Sequence, residues 1–246
     1  MKKQLGKTNM YISPVGLGCM GFSRAYGTAL AKDEAIKRIR KAYELGYTFF
    51  NTAECYTGIY ADGSYANNKE VVGEALKPIR NQVILATKFG IKFTDQGSIL
   101  DSSPQKIRES LEGSLKRLQT DRIDLYYQHR IDPKVEPKVV AWVMKELIAE
   151  GKIKAWGISE VKEDYLRRAH AVCPVSAIQN RYSMVARGYE NMFKVCKELG
   201  VLFVAYSPLG NGILSGKYDP SSKFEDIDFR THRPLYKEEG FESVKK

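Results

Sequence analysis

The chain has 246 residues, of which 43% are hydrophobic and 28% charged, a composition typical of a globular protein with one sizeable core. No apolar run reaches the roughly 18 residues that a membrane helix needs, and the amino terminus lacks the apolar stretch of a signal peptide, so we predict a cytoplasmic protein that does not enter a membrane. The net charge of +10 is spread over short basic pairs on predicted helices, which argues against nucleic-acid binding.

Short apolar segments alternate with amphipathic segments along the chain. A hairpin comes first, with strands at 3–5 and 11–13. Seven short strands follow, each bounded by glycine or polar residues, at 15–19, 47–50, 83–86, 123–127, 153–156, 175–178 and 201–205. Helical spacing is clear at 33–45, from 104 onward, and at 139–149, 164–172 and 189–199. This alternation predicts a parallel sheet with helical crossovers, in one domain that spans residues 1–246.

Turn and cap residues mark the ends of these helices. Asp33 is expected to cap the first helix, and Ser103 followed by Pro104 opens the next clear one. Gly46 and Gly200 are expected to end helices, because glycine adopts the left-handed backbone that follows a last helical turn.

Two parallel folds fit the alternation, a doubly wound sheet and a (β/α)8 barrel of the TIM type. The segment GLGCMG at 16–21 matches the G-x-G-x-x-G dinucleotide fingerprint. However, residues 22–31 form a polar loop where that fold needs a helix, and the second strand ends in Asn51 instead of an acidic residue. We therefore interpret the glycines as a tight passage from strand to loop, and we predict the barrel.

The predicted barrel is incomplete. Closure needs eight strands, whereas seven are found, and residues 219–246 show no apolar periodicity. We therefore expect the last helix–strand–helix segment to be absent. An open barrel exposes two sheet edges, so two copies that complete each other are an open alternative to a monomer.

Polar or amphipathic side chains follow six of the strands directly. Because the carboxyl ends of all barrel strands meet at one mouth, these side chains are expected to converge. They are Asn51, Lys88, His129, Ser159, Gln179 and Tyr206. Each of them alone is more often structural than functional, and only their shared position predicts an active site.

These residue types suit the reduction of a carbonyl group. Tyr56 can donate the proton if Lys88 lies against its hydroxyl, because a nearby cation lowers the pKa of a phenol. His129 can orient the substrate oxygen by a hydrogen bond. Ser159 and Gln179 can bind a carboxamide, and the ring of Tyr206 can stack on a flat nicotinamide.

The cysteines and histidines fit no metal site. The four cysteines are widely spaced without a C-x-x-C pair, and three histidines match no common zinc pattern. We therefore predict free, buried thiols in a reducing compartment. Cys55 precedes Tyr56 directly and is expected to line the pocket.

Six motifs carry a resemblance to a known family. They are NTAECY at 51–56, ATKFG at 86–90, YQH at 127–129, WGIS at 156–159, AIQN at 177–180 and AYSPLG at 205–210. In this order and spacing they resemble the aldo-keto reductases from residue 3 to about residue 241, and most of all the bacterial branch that reduces small aldehydes and quinone-like carbonyls. The resemblance implies a TIM-type barrel and NADP-dependent reduction of an aldehyde or ketone to an alcohol, with NAD as the less expected cofactor.

The resemblance also implies a role for each site residue. Tyr56 is the general acid, Lys88 adjusts its pKa and His129 orients the substrate. The cofactor is expected to cross the mouth without a Rossmann fold. Its expected contacts are Ser159, Gln179, Tyr206, Ser207, Leu209, Gly210 and Asn211.

The sequence departs from the family pattern in two places. Asn51 stands where the family has aspartate, which removes the negative charge that balances Lys88 and predicts slower turnover. The absent last segment is where the family grips the adenosine phosphate. Three interpretations therefore stay open: an incomplete reductase, a reductase homologue of impaired activity that binds or regulates a partner, and a basic nucleic-acid-binding protein.

Overall fold

A computed structural model describes residues 2–94 and 96–245. The strands in this part of the chain are β1 (Lys3–Gln4), β2 (Tyr11–Ile12), β3 (Leu17–Gly18), β4 (Phe49–Asn51), β5 (Thr57–Ile59), β6 (Tyr65–Asn67), β7 (Ile84–Phe89), β8 (Ile91–Thr94), β9 (Gly97–Leu100), β10 (Ile123–Gln128), β11 (Ile153–Ser159), β12 (Ala177–Arg181) and β13 (Leu202–Tyr206). The α-helices are α1 (Lys32–Glu44), α2 (Asn68–Leu76), α3 (Pro104–Leu118), α4 (Pro137–Ala149), α5 (Glu163–His170), α6 (Asn191–Leu199) and α7 (Glu238–Lys245).

Seven of these strands form one parallel sheet in the order β3-β4-β7-β10-β11-β12-β13. Strands that are neighbours in the sheet follow one another along the chain, and α1 to α6 cross between them in turn. This is the winding of a (β/α) barrel. No pairing joins β3 to β13 within the described residues, so the sheet is a curled half-barrel with two open edges.

The two faces of the sheet follow the two-residue period of a strand. Outward-facing residues such as Phe50, Tyr126 and Trp156 pack in the large core between sheet and helices. Inward-facing residues form a second, smaller apolar cluster, the barrel floor, made of Phe49, Ala86, Leu125, Tyr127, Ala155 and Ala177. The hairpin of β1 and β2 covers this floor through Leu5 and Ile12, which are both buried.

Gly157 is needed where β11 passes the floor. A Cβ atom there would lie 2.5 Å from the ring of Tyr127 and 2.6 Å from the carbonyl oxygen of Ala177. The absence of a side chain on Gly157 therefore makes room for the large inward-facing Tyr127 ring.

The predicted hairpin, strands and helices are all present, with shifted ends. Ser103 caps α3 by accepting a hydrogen bond from the backbone N–H of Lys106 at 3.3 Å, and Gly200 follows α6 in the left-handed conformation (φ 70°), both as predicted. The prediction that Asp33 caps α1 is wrong. The cap is Ala31, without a side-chain bond, and Asp33 lies in the first turn, where its charge favours the helix dipole.

Three features were not predicted. Helix α2 and the hairpins β5–β6 and β8–β9 lie in segments without clear periodicity. Residues 219–246 show no apolar periodicity in the sequence, yet α7 forms in the last part of this segment and Phe241 in it is buried. Arg230 anchors this region through an ion pair with Asp228 at 2.6 Å and by packing on several aromatic rings.

The prediction that the cysteines are free, buried thiols is confirmed for all four, Cys19, Cys55, Cys173 and Cys196. Among the described residues, no helix is both long and apolar enough to cross a membrane. In the same residues, no group of three or more His, Cys, Asp or Glu side chains is placed to hold a metal ion.

Candidate active site

The predicted site residues lie on the inner face of the sheet, one step above the barrel floor. Asn51 is two residues beyond Phe49, and Gln179 is two residues beyond Ala177, so the strand period points both inward. The same parity holds along the other strands. It places at the mouth Lys88 after Ala86, His129 after Tyr127, Ser159 after Gly157, and Tyr206 after Val204.

Lys88 is the centre of the site. It is 2% exposed, and its Nζ donates to the Oδ1 of Asn51, to the carbonyl oxygen of Thr52 at 3.0 Å and to the hydroxyl of Tyr56 at 3.3 Å. Three oxygen partners from β4 and the following loop therefore surround the amine. The sequence-based expectation that Lys88 lies against the Tyr56 hydroxyl agrees with this geometry.

A buried asparagine holds the loop that carries Tyr56. Asn68 accepts a hydrogen bond from the Thr52 hydroxyl at 2.6 Å, and its backbone N–H donates to the carbonyl of Tyr56 at 3.1 Å. Its side-chain amide also donates to the carbonyl of Cys19 at 2.8 Å and to the hydroxyl of Ser23 at 3.0 Å. Asn68 is fully buried, so these bonds fix the start of α2 against the loop that carries Tyr56.

The protonation states differ from the sequence-based expectation. Burial lowers the pKa of Lys88 to about 7, because removal from water disfavours the charged amine, and the nearby charge of Arg130 lowers it further. Burial raises the pKa of Tyr56 above its usual value, whereas we expected Lys88 to lower it. The reason is that a buried phenolate loses its water, and this effect outweighs the lowering of the pKa by the charge of Arg130.

His129 lies directly after β10. Its backbone N–H donates to the carbonyl of Phe89 at 3.0 Å, and its ring packs edge-on against Tyr56 with 5.8 Å between ring centroids. Its Nδ1 is 3.5 Å from the sulfur of Cys55. Burial lowers the pKa of His129 well below its usual value, and the charge of Lys88 lowers it further, so the imidazole is neutral at neutral pH.

Ser159 and Gln179 lie side by side on adjacent strands. Their Cα atoms are partners in the register of β11 and β12, and the hydroxyl of Ser159 donates to the carbonyl of Gln179 at 2.8 Å. The side-chain amide of Gln179 makes no hydrogen bond to any described residue, so its donor and acceptor stay available. Arg130 reaches the same place and donates to the Ser159 hydroxyl at 3.2 Å.

The segment after β13 has an unusual backbone. Tyr206 ends the strand half-buried, and the next residues enter the left-handed region at Ser207 (φ 52°), Gly210 (φ 57°) and Asn211 (φ 63°). The amide of Asn211 donates to the hydroxyl of Ser207 at 3.0 Å, which closes the turn. Leu209 lies on its outside and is 58% exposed. Successive backbone N–H groups in such turns form concave sites for anions.

A sequence model of the aldo/keto reductase family matches residues 14–239 of the chain. The chain belongs to the aldo/keto reductase family. It is 39% identical over 244 residues to an aldo-keto reductase of the fungus Strobilurus tenacellus, an alignment that covers 95% of the chain and 69% of the relative. It is 41% identical over 219 residues to a probable aldo-keto reductase of Glycine max, covering 87% of the chain and 61% of the relative.

Solved structures of the family share the fold. An aldo-keto reductase of Bacillus halodurans in its holo form superposes with a TM-score of 0.77 and 31% identity, over 92% of the chain and 72% of that structure. A glycerol dehydrogenase of Gluconobacter oxydans gives a TM-score of 0.84 and 26% identity, over 98% of the chain and 73% of that structure. The chain thus spans about two thirds of the length of its curated relatives and somewhat under three quarters of these structures.

Three residues of this aldo/keto reductase site were missed by the sequence interpretation in part or in full. Asn68 gave no signal, because a polar residue at the start of a helix is usually solvated. Arg130 directly follows His129, and this adjacency could have drawn attention to it. Cys55 was expected to line the pocket, but its contact with His129 bridges 74 positions of sequence and depends on packing alone.

Proposed function

We propose that the chain is an NADP(H)-dependent reductase that converts an aldehyde or a ketone into an alcohol, with Tyr56 as the proton donor. Family membership supports oxidoreductase chemistry on carbonyl compounds. The observation that carries the proposal is the position of Lys88, whose Nζ lies between Asn51 and the hydroxyl of Tyr56 at the inner mouth of the barrel.

The residues present fit the nicotinamide end of the cofactor. The unpaired amide of Gln179 beside the hydroxyl of Ser159 suits a carboxamide, which needs one donor and one acceptor. Tyr206 supplies a half-buried ring for stacking, and the left-handed turn of Ser207 to Asn211 suits the pyrophosphate. When bound, the nicotinamide supplies or accepts a hydride. The preference for NADP over NAD follows the family resemblance.

The protein's own part in the reaction is proton transfer and orientation. The Tyr56 hydroxyl gives its proton to the carbonyl oxygen as the carbonyl carbon receives hydride, and the resulting phenolate is stabilised by the ammonium form of Lys88. The neutral ring of His129 donates a hydrogen bond to the same oxygen and so fixes the reacting face. Proton return from Lys88 to Tyr56, followed by uptake of one proton from solvent by the Lys88 amine, restores the starting state.

The direct test is titration of the purified chain with NADPH, followed by cofactor fluorescence, with NADH in parallel, and then assays on a panel of aldehydes and ketones. We expect saturable binding, tighter for NADPH, and turnover. The variant Tyr56→Phe should bind NADPH as the wild type does and lose turnover about 10²- to 10⁴-fold, the usual contribution of a general acid. Full turnover in the folded Tyr56→Phe chain contradicts the assignment of Tyr56.

A second candidate is a family member that binds cofactor with little catalysis and acts through a partner. It is favoured by one observation: Lys88 is 2% exposed with the neutral amide of Asn51 as a partner, and burial lowers its pKa to about 7. A weakly charged lysine stabilises the phenolate poorly. This candidate predicts saturable NADPH binding without turnover of any carbonyl compound in the panel.

A further inference from the structure

Cys55 is the one side chain among the described residues that is bonded to a ring nitrogen of His129. The distance from its sulfur to Nδ1 is 3.5 Å, within the range for a hydrogen bond to sulfur. Each of the two residues is 7% exposed. No described residue bonds the other ring nitrogen, Nε2, so Nε2 is left for a ligand.

The chemistry of both groups decides which one donates. A neutral imidazole carries one N–H donor and one bare nitrogen that accepts. Burial lowers the pKa of His129 well below its usual value and raises the pKa of Cys55 to about 11, so at neutral pH the imidazole is neutral and the thiol keeps its proton. Sulfur is a weak acceptor, whereas a bare imidazole nitrogen is a good one. The favourable arrangement is therefore S–H donating to Nδ1.

We propose that Cys55 is a positioning residue that holds His129 in the tautomer with its proton on Nε2. The backbone bond from His129 to the carbonyl of Phe89, at 3.0 Å, holds the main chain, and the edge-on packing against Tyr56 restricts the ring. The thiol then fixes where the proton lies. Nε2–H becomes a permanent donor at the mouth, aimed at an acceptor such as a carbonyl oxygen; this last step rests on the proposed reductase function.

A second histidine serves as an internal reference. The backbone N–H of Val175 donates to Nδ1 of His170 at 3.1 Å, so Nδ1 of His170 is bare and the proton lies on Nε2. The third histidine, His232, is exposed. With only three histidines in the chain, their ring nitrogens can be told apart by nuclear magnetic resonance.

The experiment is a long-range ¹H–¹⁵N correlation spectrum of the ¹⁵N-labelled full chain at neutral pH, with resonances assigned by comparison with the variants His170→Gln and His232→Gln. We expect His129 to match His170, with Nε2 at a protonated and Nδ1 at an unprotonated nitrogen shift. A protonated Nδ1 in His129 of the wild type overturns the proposal.

Three variants separate tautomer control from mere packing. Cys55→Ala removes the donor and should move His129 to a mixture of tautomers, whereas Cys55→Ser keeps a hydroxyl donor and should restore the wild-type pattern. Cys173→Ala, at another buried free cysteine, is the matched control and should leave His129 unchanged. An unchanged His129 spectrum in folded Cys55→Ala overturns the proposal.

Kinetics give a second readout. In Cys55→Ala we expect kcat to fall about three- to tenfold, the effect of losing one hydrogen bond, while the Kd for NADPH stays constant and Cys55→Ser recovers kcat. A fall in cofactor affinity of the same size as the fall in kcat contradicts a positioning role. A wild-type chain that reduces no carbonyl compound contradicts the proposed function instead, and the nitrogen shifts still decide the tautomer.

Discussion

Among the described residues two lysines, Lys69 and Lys88, are almost completely buried, and their surroundings differ. Lys88 at the barrel mouth has three oxygen partners, whereas Lys69 in the first turn of α2 has one, the hydroxyl of Ser114 at 2.6 Å. Burial lowers the pKa of each to about 7. Lys69 also lies at the amino end of a helix, where a positive charge is disfavoured.

The partners of the two lysines indicate that each amine is buried for a different reason. The partners of Lys88 include the hydroxyl of Tyr56, so the protonation of Lys88 affects the proposed proton donor. The single partner of Lys69 is the hydroxyl of Ser114, which donates to the carbonyl of Ser110 at 2.5 Å. Both serines are in α3, so this chain of hydrogen bonds does not reach the barrel mouth. In the proposed reaction Lys88 therefore has a role and Lys69 has none, and we expect Lys69 to belong to the helix packing at a cost in stability.

The largest expected effect is on turnover. Lys88→Met should lower kcat about 10²- to 10⁴-fold, because the proton donor loses its charged partner. Lys69→Met is the matched control and should keep kcat within about twofold of the wild type. Steady-state kinetics on one aldehyde measures both. A comparable fall in kcat in Lys69→Met would contradict this difference between the two lysines, since it would make Lys69 part of the reaction.

The next effect is on stability. Between about pH 7 and pH 9 the unfolded chain keeps both lysines protonated, while in the folded chain burial deprotonates them, so the free energy of unfolding should rise with pH. Each lysine adds roughly 1.4 kcal/mol per pH unit in this window. Above pH 9 the buried thiols act in the opposite direction, because burial raises the pKa of Cys55 to about 11.

Lys69→Met should halve this slope and stabilise the folded chain at pH 6 by roughly 3 to 5 kcal/mol, the free energy that corresponds to a pKa lowered to about 7. Urea unfolding of wild type and variant at pH 6, 7, 8 and 9 measures it. A slope that Lys69→Met leaves unchanged shows that Lys69 stays protonated in the folded state.

The smallest expected effect sharpens the role of Lys88. Asn51→Asp places a carboxylate against Nζ, which should raise the pKa of Lys88, keep it charged and increase kcat roughly tenfold. It should also remove the share of Lys88 in the pH dependence of stability. An unchanged or lower kcat in the folded variant contradicts the idea that Asn51 limits turnover.

The sequence predicted the sheet well, because short apolar strands between glycines and caps leave a strong signal. It missed α2, since this helix has only nine residues and Gly73 interrupts its apolar pattern between Val72 and Leu76. Gly73 is there because α3 passes closely: a Cβ atom would lie 2.7 Å from the Cα of Leu118. Close helix packing of this kind is a property of the folded chain and has no local sequence signal.

The positions of the candidate site residues could be predicted from the sequence, whereas their pKa shifts could not. Strand parity brings Asn51, Lys88 and Gln179 to one mouth, and parity can be counted along the sequence. Desolvation cannot be counted in this way, which is why the direction of the pKa shift of Tyr56 was predicted wrongly. The burial of Lys69 was missed for the same reason, since a lysine in a helix is normally solvated.

The open edge of the sheet at β13 has a practical consequence. Strand β13 pairs with β12 on one side only, so its other side presents backbone N–H and C=O groups that another strand can pair with, and Ala205 is exposed in this strand. A concentrated sample is therefore expected to turn over time from dispersed chains into paired or larger species, with light scattering that rises steeply with concentration. Dilute storage and fresh preparation would limit such pairing between chains before kinetic or unfolding experiments.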